Sequence, residues 1–157
     1  MRARQIAVIG SGLPDDGLAE TAAEVGRLLA EAGAIVVCGG LRGVMESVAR
    51  GAADAGGDVI GIVPSADPVD ANPHCTHVVA TSTGTARNLA VVASAEAVIA
   101  LGGAWGTLSE IAFARNIDRP LIALGSWEIE PPETFEGELG VLPAQTPAEA
   151  VALALGG

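Results

Sequence analysis

Short apolar runs alternate with amphipathic segments along most of the chain, and this alternation is the strongest constraint on its fold. The runs occupy residues 5–12, 34–40, 58–64, 77–83, 97–103 and 120–126. Segments with helical spacing of apolar residues lie between them, at 17–34, 43–57, 86–95 and 106–117. Because each run is apolar throughout, both faces of each strand are expected to be buried.

Strands of this kind, separated by helices, predict an α/β fold: a doubly wound parallel sheet of about six or seven strands, Rossmann-like, with helices on both faces. The acidic stretch 127–139 is predicted to be irregular, followed by a short strand near 140–142 and a helix from Thr146. The 157 residues suit one domain, so residues 1–157 are predicted to form a single Rossmann-like nucleotide-binding domain.

The charged residues exclude several kinds of function. The chain has 19 Asp and Glu against 8 basic residues, a formal charge of −11, so a nucleic-acid partner is not expected. All eight basic residues are Arg. Without Lys, the chain has neither a Schiff-base lysine for pyridoxal phosphate nor a Walker-type P-loop. We expect no cofactor of these kinds, and no other cofactor is indicated.

A few further features bear on where the protein is located in the cell and on whether it binds a metal. Cys38 and Cys75 do not make a disulfide framework, no signal-peptide pattern is present, and no apolar run reaches the ~18 residues of a membrane span. A cytoplasmic protein without a membrane partner is expected. His74, Cys75 and His77 lack further clustered ligands, so no metal site is predicted.

Four loops at the predicted carboxyl ends of strands are rich in Gly, Ser or Thr. Their candidate ligand-binding residues are Gly10 and Ser11, then Gly39, Gly40 and Gly43, then Thr83 and Gly84, then Gly103, Trp105, Gly106 and Thr107. In doubly wound sheets these loops share one edge, where glycines admit a ligand and helix N-termini bind anions. The pattern indicates a phosphorylated small molecule.

A dinucleotide ligand is disfavoured. The fingerprint G-x-G-x-x-G begins at Gly10 and Gly12 but has Asp15 where the third glycine belongs. The acidic residue expected after the second strand is replaced by Cys38-Gly39-Gly40.

Glu110 has two explanations. With Thr107 it fits a capping box, Thr at the N-cap and Glu at N3, which accounts for both residues structurally. Its glycine-rich neighbourhood favours a ligand site instead.

Three other side chains near these loops are candidates for a role in binding. Trp105 fits either stacking on a ring or filling a dimer interface. Arg87 opens a predicted helix, where the dipole disfavours a cation, so we expect it to hold a phosphate or a carboxylate; Arg42 is a weaker phosphate candidate.

Three segments carry a resemblance to a known family: GGLRGVM (39–45), Arg87-Asn88 and GAWGTLSE (103–110). They resemble the LOG-like (Lonely guy) proteins, long labelled possible lysine decarboxylases, over about residues 5–125. The resemblance implies a Rossmann-like fold and a homodimer or higher homo-oligomer. LOG enzymes cleave the N-glycosidic bond of cytokinin nucleoside 5′-monophosphates. Decarboxylation of the pyridoxal-phosphate type does not fit a chain without Lys.

The resemblance implies that Arg87 and Glu110 correspond to the family's catalytic pair. It also implies that Gly106 and Thr107 belong to the phosphate-binding turn. Three departures stand out. Gly102-Gly103-Ala104 replaces the family's Pro-Gly-Gly, Asn88 replaces a Lys, and Cys38-Gly39-Gly40 replaces the three glycines that begin the loop after the second strand. At these positions the sequence is more similar to the branch of the family that includes the molybdenum-cofactor carrier protein.

Two functions therefore stay open. The first is binding of a phosphorylated ligand such as a nucleotide, with possible hydrolysis of the N-glycosidic bond of nucleoside 5′-monophosphates; Asn88 joins its binding residues. The alternative is a carrier or sensor without catalysis, for a molecule such as molybdenum cofactor. In both cases we expect a homodimer formed by the helices that begin near Ala86 and Gly106.

Overall fold

The computed structural model describes residues 1–157 and consists of one parallel sheet with helices on both faces. The strands are β1 (Gln5–Gly10), β2 (Ile35–Cys38), β3 (Val59–Val63), β4 (His77–Ala80), β5 (Ala97–Leu101), β6 (Leu121–Leu124) and β7 (Val141–Pro143). The helices are α1 (Asp16–Glu31), α2 (Val44–Asp54), α3 (Arg87–Ala93), α4 (Trp105–Asn116) and α5 (Pro147–Ala154). Two short 3-10 turns lie at Pro68–Asp70 and Gly84–Ala86.

The order of the strands shows where the sheet changes direction. The seven strands lie in the order β4-β3-β2-β1-β5-β6-β7 and every neighbouring pair is parallel. The chain winds outward from β1 to β4, returns to β5 on the other side of β1, and winds outward again. The predicted doubly wound fold is confirmed. Its switch point lies between β1 and β5, where folds of this class bind ligands.

Each face of the sheet carries its own aliphatic core. Residues of α1, α2 and α5 pack on one face, and residues of α3 and α4 pack on the other. Strand β5 is buried along its whole length, with side chains pointing to both cores. This two-sided burial explains why the strands read as continuous apolar runs.

Polar caps fix two of the helix starts. Asp15 accepts a hydrogen bond from the backbone N–H of Leu18 at 2.8 Å, and α1 begins at the next residue. Thr146 accepts from the N–H of Glu149 at 3.1 Å, while the Glu149 carboxylate accepts from the N–H of Gln145. Reciprocal bonds of this kind satisfy backbone donors that a helix start leaves free.

Helices α1 and α2 touch backbone to backbone at two glycines. A Cβ on Gly26 would lie 2.1 Å from the carbonyl oxygen of Val48, and one on Gly51 would lie 1.9 Å from that of Ala23. A side chain at either position cannot fit without moving the helices apart. The two glycines therefore set the distance between α1 and α2.

The predicted capping box at the start of α4 is wrong. The helix begins at Trp105 with Ala104 as its N-cap, so Thr107 is its third residue and Glu110 lies one turn further in. No side chain caps this end of the helix. The reason is Gly103, whose φ of 121° turns the chain into the helix earlier than the sequence pattern predicts.

Several predicted strands extend too far at their carboxyl ends. The structure ends β1 at Gly10, β4 at Ala80 and β5 at Leu101, two or three residues before the predicted limits. Ser82 and Gly102 have φ values of 55° and 59°, which an extended strand cannot contain. The extra residues belong to the loops that surround the candidate site.

The helices are too short or too polar for a bilayer. The longest, α1, has 16 residues, and none combines the length and hydrophobicity that crossing a membrane requires.

Candidate functional site

A cleft of about 240 Å³ opens at the carboxyl edge of the sheet, at the switch point between β1 and β5. Its walls come from the ends of β1 and β2, from the loop after β1, from the first turns of α2 and α3, and from the first two turns of α4. The lining residues are Val8, Ile9, Gly10, Gly12, Gly39, Met45, Arg87, Asn88, Ala104, Gly106, Thr107 and Glu110.

The structure brings half of the predicted site residues together in this cleft. Those that line it are Gly10, Gly39, Arg87, Asn88, Gly106, Thr107 and Glu110. Those that lie outside its wall are Ser11, Gly40, Gly43, Thr83, Gly84, Gly103 and Trp105.

Some of the outlying residues shape the loops around the cleft. The carbonyl oxygen of Ser11 accepts from the N–H of Val44 at 2.9 Å, which ties the loop after β1 to the start of α2. Gly43 has a φ of 75°, and a Cβ there would lie 2.5 Å from that same oxygen. A Cβ on Gly40 would lie 2.7 Å from the side chain of Val63. These glycines allow close packing of the loops.

Thr83 and Gly84 are exposed and lie on the approach to α3. The Thr83 hydroxyl donates to the Thr81 hydroxyl at 2.9 Å, and the N–H of Gly84 donates to the carbonyl of Pro64 at 3.0 Å. Both groups serve the turn itself, which carries the chain into α3.

Sequence reasoning missed five lining residues: Val8, Ile9, Gly12, Met45 and Ala104. The two strand residues gave no signal beyond burial. Gly12 lies in the G-x-G that begins at Gly10, and Met45 lies in a segment that carries the family resemblance. Both residues could therefore have been predicted to lie near the site. Ala104 became visible only once the true start of α4 was known.

Arg87 is a buried cation without a carboxylate partner. Its side chain lies at the start of α3 and is only 9% exposed. One Nη donates to the amide oxygen of Asn88, while Nε has no hydrogen-bond partner. No carboxylate lies within 4 Å, and burial lowers the pKa of Arg87. Burial of a charge that is not paired is unfavourable, so the cleft is suited to an anion.

Gly39 makes room for this arginine. A Cβ on Gly39 would lie 2.6 Å from the sulfur of Met45 and 3.0 Å from Cζ of Arg87. The guanidinium therefore rests against the bare backbone at the end of β2. A side chain at position 39 would displace the Met45 side chain and the guanidinium.

Glu110 faces the same cleft from the second turn of α4. It is 9% exposed and makes no hydrogen bond and no ion pair within 4 Å. Burial raises the pKa of Glu110 to about 7, and the positive charge of Arg87 opposes part of this shift. A group that titrates near neutral pH can accept or give a proton.

The first turn of α4 presents free hydrogen-bond donors. The backbone N–H groups of Trp105, Gly106 and Thr107 donate to no protein acceptor; the first bonded N–H is that of Leu108. Thr107 is a buried residue, and its hydroxyl makes no hydrogen bond within the protein. Free N–H groups at a helix start, reinforced by the helix dipole, are a common phosphate site.

Two tryptophans lie beside this turn. The rings of Trp105 and Trp127 stack with centroids 5.6 Å apart and planes inclined by 36°. The indole N–H of Trp127 donates to the carbonyl of Ala104 at 3.3 Å. Trp105 is 77% exposed and does not line the cleft.

The His74, Cys75 and His77 cluster does not converge. Across the chain, no group of three or more His, Cys, Asp or Glu side chains is placed to hold a metal ion. The Cys38 thiol donates to the carbonyl of Met45 at 3.8 Å, and the neighbouring Cys75 together with burial raises the pKa of Cys38. His77 lies beside Thr76 instead, with its Nδ1 3.0 Å from the hydroxyl.

The fold and the site together define a class: a doubly wound α/β protein whose switch-point cleft presents a buried arginine, a buried glutamate and a helix N-terminus. The sequence profile of the SLOG cluster4 family (LDcluster4) matches residues 3–151. The chain belongs to this family.

Similar proteins share nearly the whole chain. An uncharacterized protein from Archaeoglobus fulgidus is 40% identical over 151 residues, covering 96% of this chain and 94% of its own. The molybdenum cofactor binding protein from Rippkaea orientalis is 32% identical with a TM-score of 0.90, covering 99% and 98% of the two chains. The molybdenum cofactor carrier protein of Chlamydomonas reinhardtii is 27% identical with a TM-score of 0.84, at 99% and 98% coverage.

These comparisons bear on the resemblance found in the sequence. They support the branch that includes the molybdenum-cofactor carrier protein, as the departures at Asn88 and Ala104 indicated.

Proposed function

We propose that this protein binds a phosphorylated small molecule in the cleft and acts as its carrier or sensor. The phosphate lies against the first turn of α4, where the N–H groups of Gly106 and Thr107 are free, and beside Arg87. The observation that carries the proposal is Arg87 itself. In a chain of charge −11, this buried cation has no acidic partner within 4 Å, and a phosphate supplies the missing charge.

The relatives favour a carrier over a hydrolase. Two of the similar structures are proteins that bind or carry molybdenum cofactor. Two of the residues at which this chain departs from the LOG pattern, Asn88 and Ala104, line the cleft. Asn88 engages the Arg87 guanidinium, a contact that a Lys at the same position would not make because it lacks an acceptor.

Calorimetric titration with ribose 5-phosphate and AMP tests the proposal. The wild-type protein is expected to bind at least one of them, and Arg87→Met is expected to bind about tenfold or more weakly because a charge-assisted contact is lost. Arg50→Met, which removes an exposed arginine of α2 that does not line the cleft, is the matched control and keeps wild-type affinity.

The fold of the Arg87→Met variant is expected to survive. Replacing a buried unpaired charge by an apolar side chain of similar length is often neutral or stabilising. Thermal unfolding checks this point. If the folded variant binds these ligands as tightly as the wild type, or if the wild type binds no phosphorylated compound, the proposed function is wrong.

Hydrolysis of a nucleoside monophosphate is the second candidate, and Glu110 is the observation that favours it. Its carboxyl group faces the cleft and titrates near pH 7, as a general base that activates water must. In that reaction water attacks C1′ of the ribose, the bond from C1′ to the base nitrogen breaks, and the base leaves with a proton. Release of free base from AMP, abolished in Glu110→Gln, is the result that would establish it.

We also propose that two copies associate through the outer surface of α3 and α4, the α3–α4 face. None of the exposed side chains of these helices is charged; the face includes Leu89, Ala93, Trp105 and Ala112. The outer surfaces of α1 and α2 carry many charges instead. A second copy of this acidic chain is the partner that fits, because two copies repel each other less where neither is charged.

A further inference from the structure

The two cysteines of the chain are brought side by side by the sheet, although they are far apart in the sequence. Cys38, the last residue of β2, pairs in register with Gly61 at the centre of β3. Side chains of paired residues stand on the same face of a sheet, on strands about 4.8 Å apart. A Cβ on Gly61 would lie 2.5 Å from the sulfur of Cys75 and 3.2 Å from its Cβ. The side chain of Cys75 therefore fills the space beside Cys38 that a larger residue in β3 would occupy.

Both thiols lie on the same side of the sheet, but they differ in access. Cys38 is fully buried in the core that the sheet forms with α1, α2 and α5, while Cys75 packs against that core and is partly exposed. Neither is in a disulfide bond. The fold is therefore complete with both thiols free, and a bond between them is not needed to hold it together.

Hydrogen bonds on both sides of Cys75 fix its position. The N–H of Cys75 donates to the carbonyl of Asn72 at 3.3 Å. The next residue, Thr76, is bonded to the backbone of Val59: its hydroxyl accepts from the N–H at 2.8 Å and donates to the carbonyl at 3.1 Å. The sulfur is thus held beside β2 before any reagent arrives. Two reactive groups that are held together in this way react far faster than they would as separate molecules.

The surroundings of the two thiols assign them different roles. The neighbouring Cys38 lowers the pKa of Cys75, burial opposes part of this shift, and Asn72 lowers the pKa further. The neighbouring Cys75 and burial raise the pKa of Cys38. Because the thiolate is the nucleophile, Cys75 is the more reactive residue and Cys38 stays a thiol. A partly exposed thiol beside a second thiol is typical of cysteines that are oxidised reversibly.

We propose that Cys75 and Cys38 form a redox-reactive pair, in which a hydroperoxide oxidises Cys75 and Cys38 then closes a disulfide bond with it. The Cys75 thiolate attacks one oxygen of hydrogen peroxide, the O–O bond breaks and hydroxide leaves, so that Cys75 becomes a sulfenic acid. The sulfur of Cys38 attacks the sulfur of Cys75, the S–O bond breaks, and the OH group leaves as water with the proton of Cys38. The two sulfurs together supply the two electrons that reduce the peroxide. A dithiol reductant reverses the bond by exchange.

The pair lies directly behind one wall of the cleft. Cys38 is followed by Gly39, against which the Arg87 guanidinium rests. Asn72, which accepts from Cys75, donates its own N–H to the carbonyl of Gly40 at 2.8 Å. A disulfide at this place would add a covalent link between the end of β2 and the segment before β4. Neither cysteine lines the cleft, so the proposal goes beyond the proposed function and does not depend on it.

Oxidation of the reduced wild-type protein with hydrogen peroxide, followed by mass spectrometry, tests the proposal. The folded monomer is expected to lose the mass of two hydrogen atoms and both of its free thiols. After proteolysis, the peptide that carries Cys38 is expected to be joined to the peptide that carries Cys75. Dithiothreitol is expected to restore both thiols.

Two single variants separate the roles of the two residues. Cys38→Ala is expected to stop at the sulfenic acid of Cys75, which dimedone captures, because the second thiol is missing. Cys75→Ala is expected to react with peroxide about tenfold or more slowly, because its remaining thiol is buried and protonated. The control is the same pair of variants unfolded in urea, where the two cysteines have equivalent surroundings and are expected to react equally fast. Thermal unfolding checks that both variants are folded in buffer.

Three results would overturn the proposal. The first is that peroxide leaves both thiols of the folded wild type free. The second is that it joins only separate chains, or oxidises Cys75 without joining the two peptides. The third is that folded Cys75→Ala reacts as fast as folded Cys38→Ala, in which case Cys75 is not the residue that attacks the peroxide. None of these measurements involves a phosphorylated ligand, so their failure leaves the proposed function untouched.

Discussion

At the scale of single residues, two charged side chains with few partners define the site. Arg87 is buried at a helix start, where the dipole gives it no support, and Glu110 is buried without a hydrogen bond. Both arrangements cost stability in the absence of a ligand. Residues that are unfavourable for the fold and share one cleft are characteristic of functional sites.

Glu110→Gln is expected to change how stability depends on pH. Because the folded-state pKa of about 7 lies above the ordinary 4.5, the folded protein holds an extra proton between these values, so stability falls as pH rises through this range. The loss amounts to at most about 3 kcal/mol above pH 7. Gln cannot ionise, so the variant is expected to be more stable than wild type at pH 8 by up to this amount.

Urea unfolding of both proteins between pH 4.5 and 8.5 measures the difference. Glu138→Gln, in the exposed acidic segment, controls for the change in net charge and is expected to follow the wild-type curve. A constant offset between Glu110→Gln and wild type at every pH would contradict the assignment of this titration to Glu110.

Sulfate binding is expected to depend on the same proton. Sulfate keeps its charge between pH 6 and 8.5, so any change in its affinity reports on the protein. Ionised Glu110 repels an anion in the cleft, and the affinity of wild type is expected to fall as pH rises through about 7. In Glu110→Gln this fall is expected to disappear, which titration calorimetry at pH 6 and 8.5 would show. An equal fall in both proteins would count against the prediction.

The sequence was enough to select Arg87 and Glu110 as site residues, but it did not predict their burial or their lack of partners. Arg87 was visible because a cation is misplaced at a helix start. Glu110 was ambiguous, because a capping box and a buried site residue look alike until the helix start is known. Met45 and Gly12 were missed because their role depends on which loops meet in space, and no local pattern records that.

At the scale of elements, the contact between α1 and α2 depends on small residues. Gly51→Ala is expected to lower the free energy of unfolding by about 1–3 kcal/mol, because the new methyl group would collide with the carbonyl of Ala23. This cost exceeds the gain of up to about 1 kcal/mol in helix propensity.

Gly17→Ala is the matched control for this prediction. It places the same methyl group in the first turn of α1, where the nearest atom is the Asp15 carboxylate at an ordinary contact distance of 3.6 Å. We expect it to be neutral or slightly stabilising. Thermal and urea unfolding of both variants check the pair, and a neutral Gly51→Ala would show that the helices can separate without cost.

The elements were predicted well in kind and poorly at their ends. Every apolar run became a strand and every segment with helical spacing became a helix, because burial on both faces of a sheet leaves a clear pattern. The ends were set by positive φ values at Ser82, Gly102 and Gly103, which no periodicity reports. These ends matter here, because the site is built from the residues where strands stop.

At the scale of the whole molecule, association through the α3–α4 face can be tested by one charged substitution. Leu89, 45% exposed at the centre of α3, is expected to be buried between two copies. Leu89→Asp is expected to convert a dimer into a monomer, because an unpaired carboxylate would be buried in the interface. Light scattering after gel filtration measures the mass.

Leu142→Asp is the control for this experiment. Leu142 lies on edge strand β7 with a similar exposure, outside the α3–α4 face, and its variant is expected to keep the mass of the wild type. If the wild type is a monomer at working concentrations, or if only Leu142→Asp reduces the mass, the proposed association is wrong.

The stacked pair of Trp105 and Trp127 makes the protein its own optical reporter. The chain has no other tryptophan and no tyrosine, so its near-ultraviolet emission comes almost wholly from these two rings, 5.6 Å apart. Trp105 contributes a free N–H to the helix turn at which the phosphate is expected, and Trp127 is bonded to the residue before it. A ligand that binds at this turn is therefore expected to change the intensity or the wavelength of the tryptophan emission. Binding can then be followed by fluorescence without any dye or label.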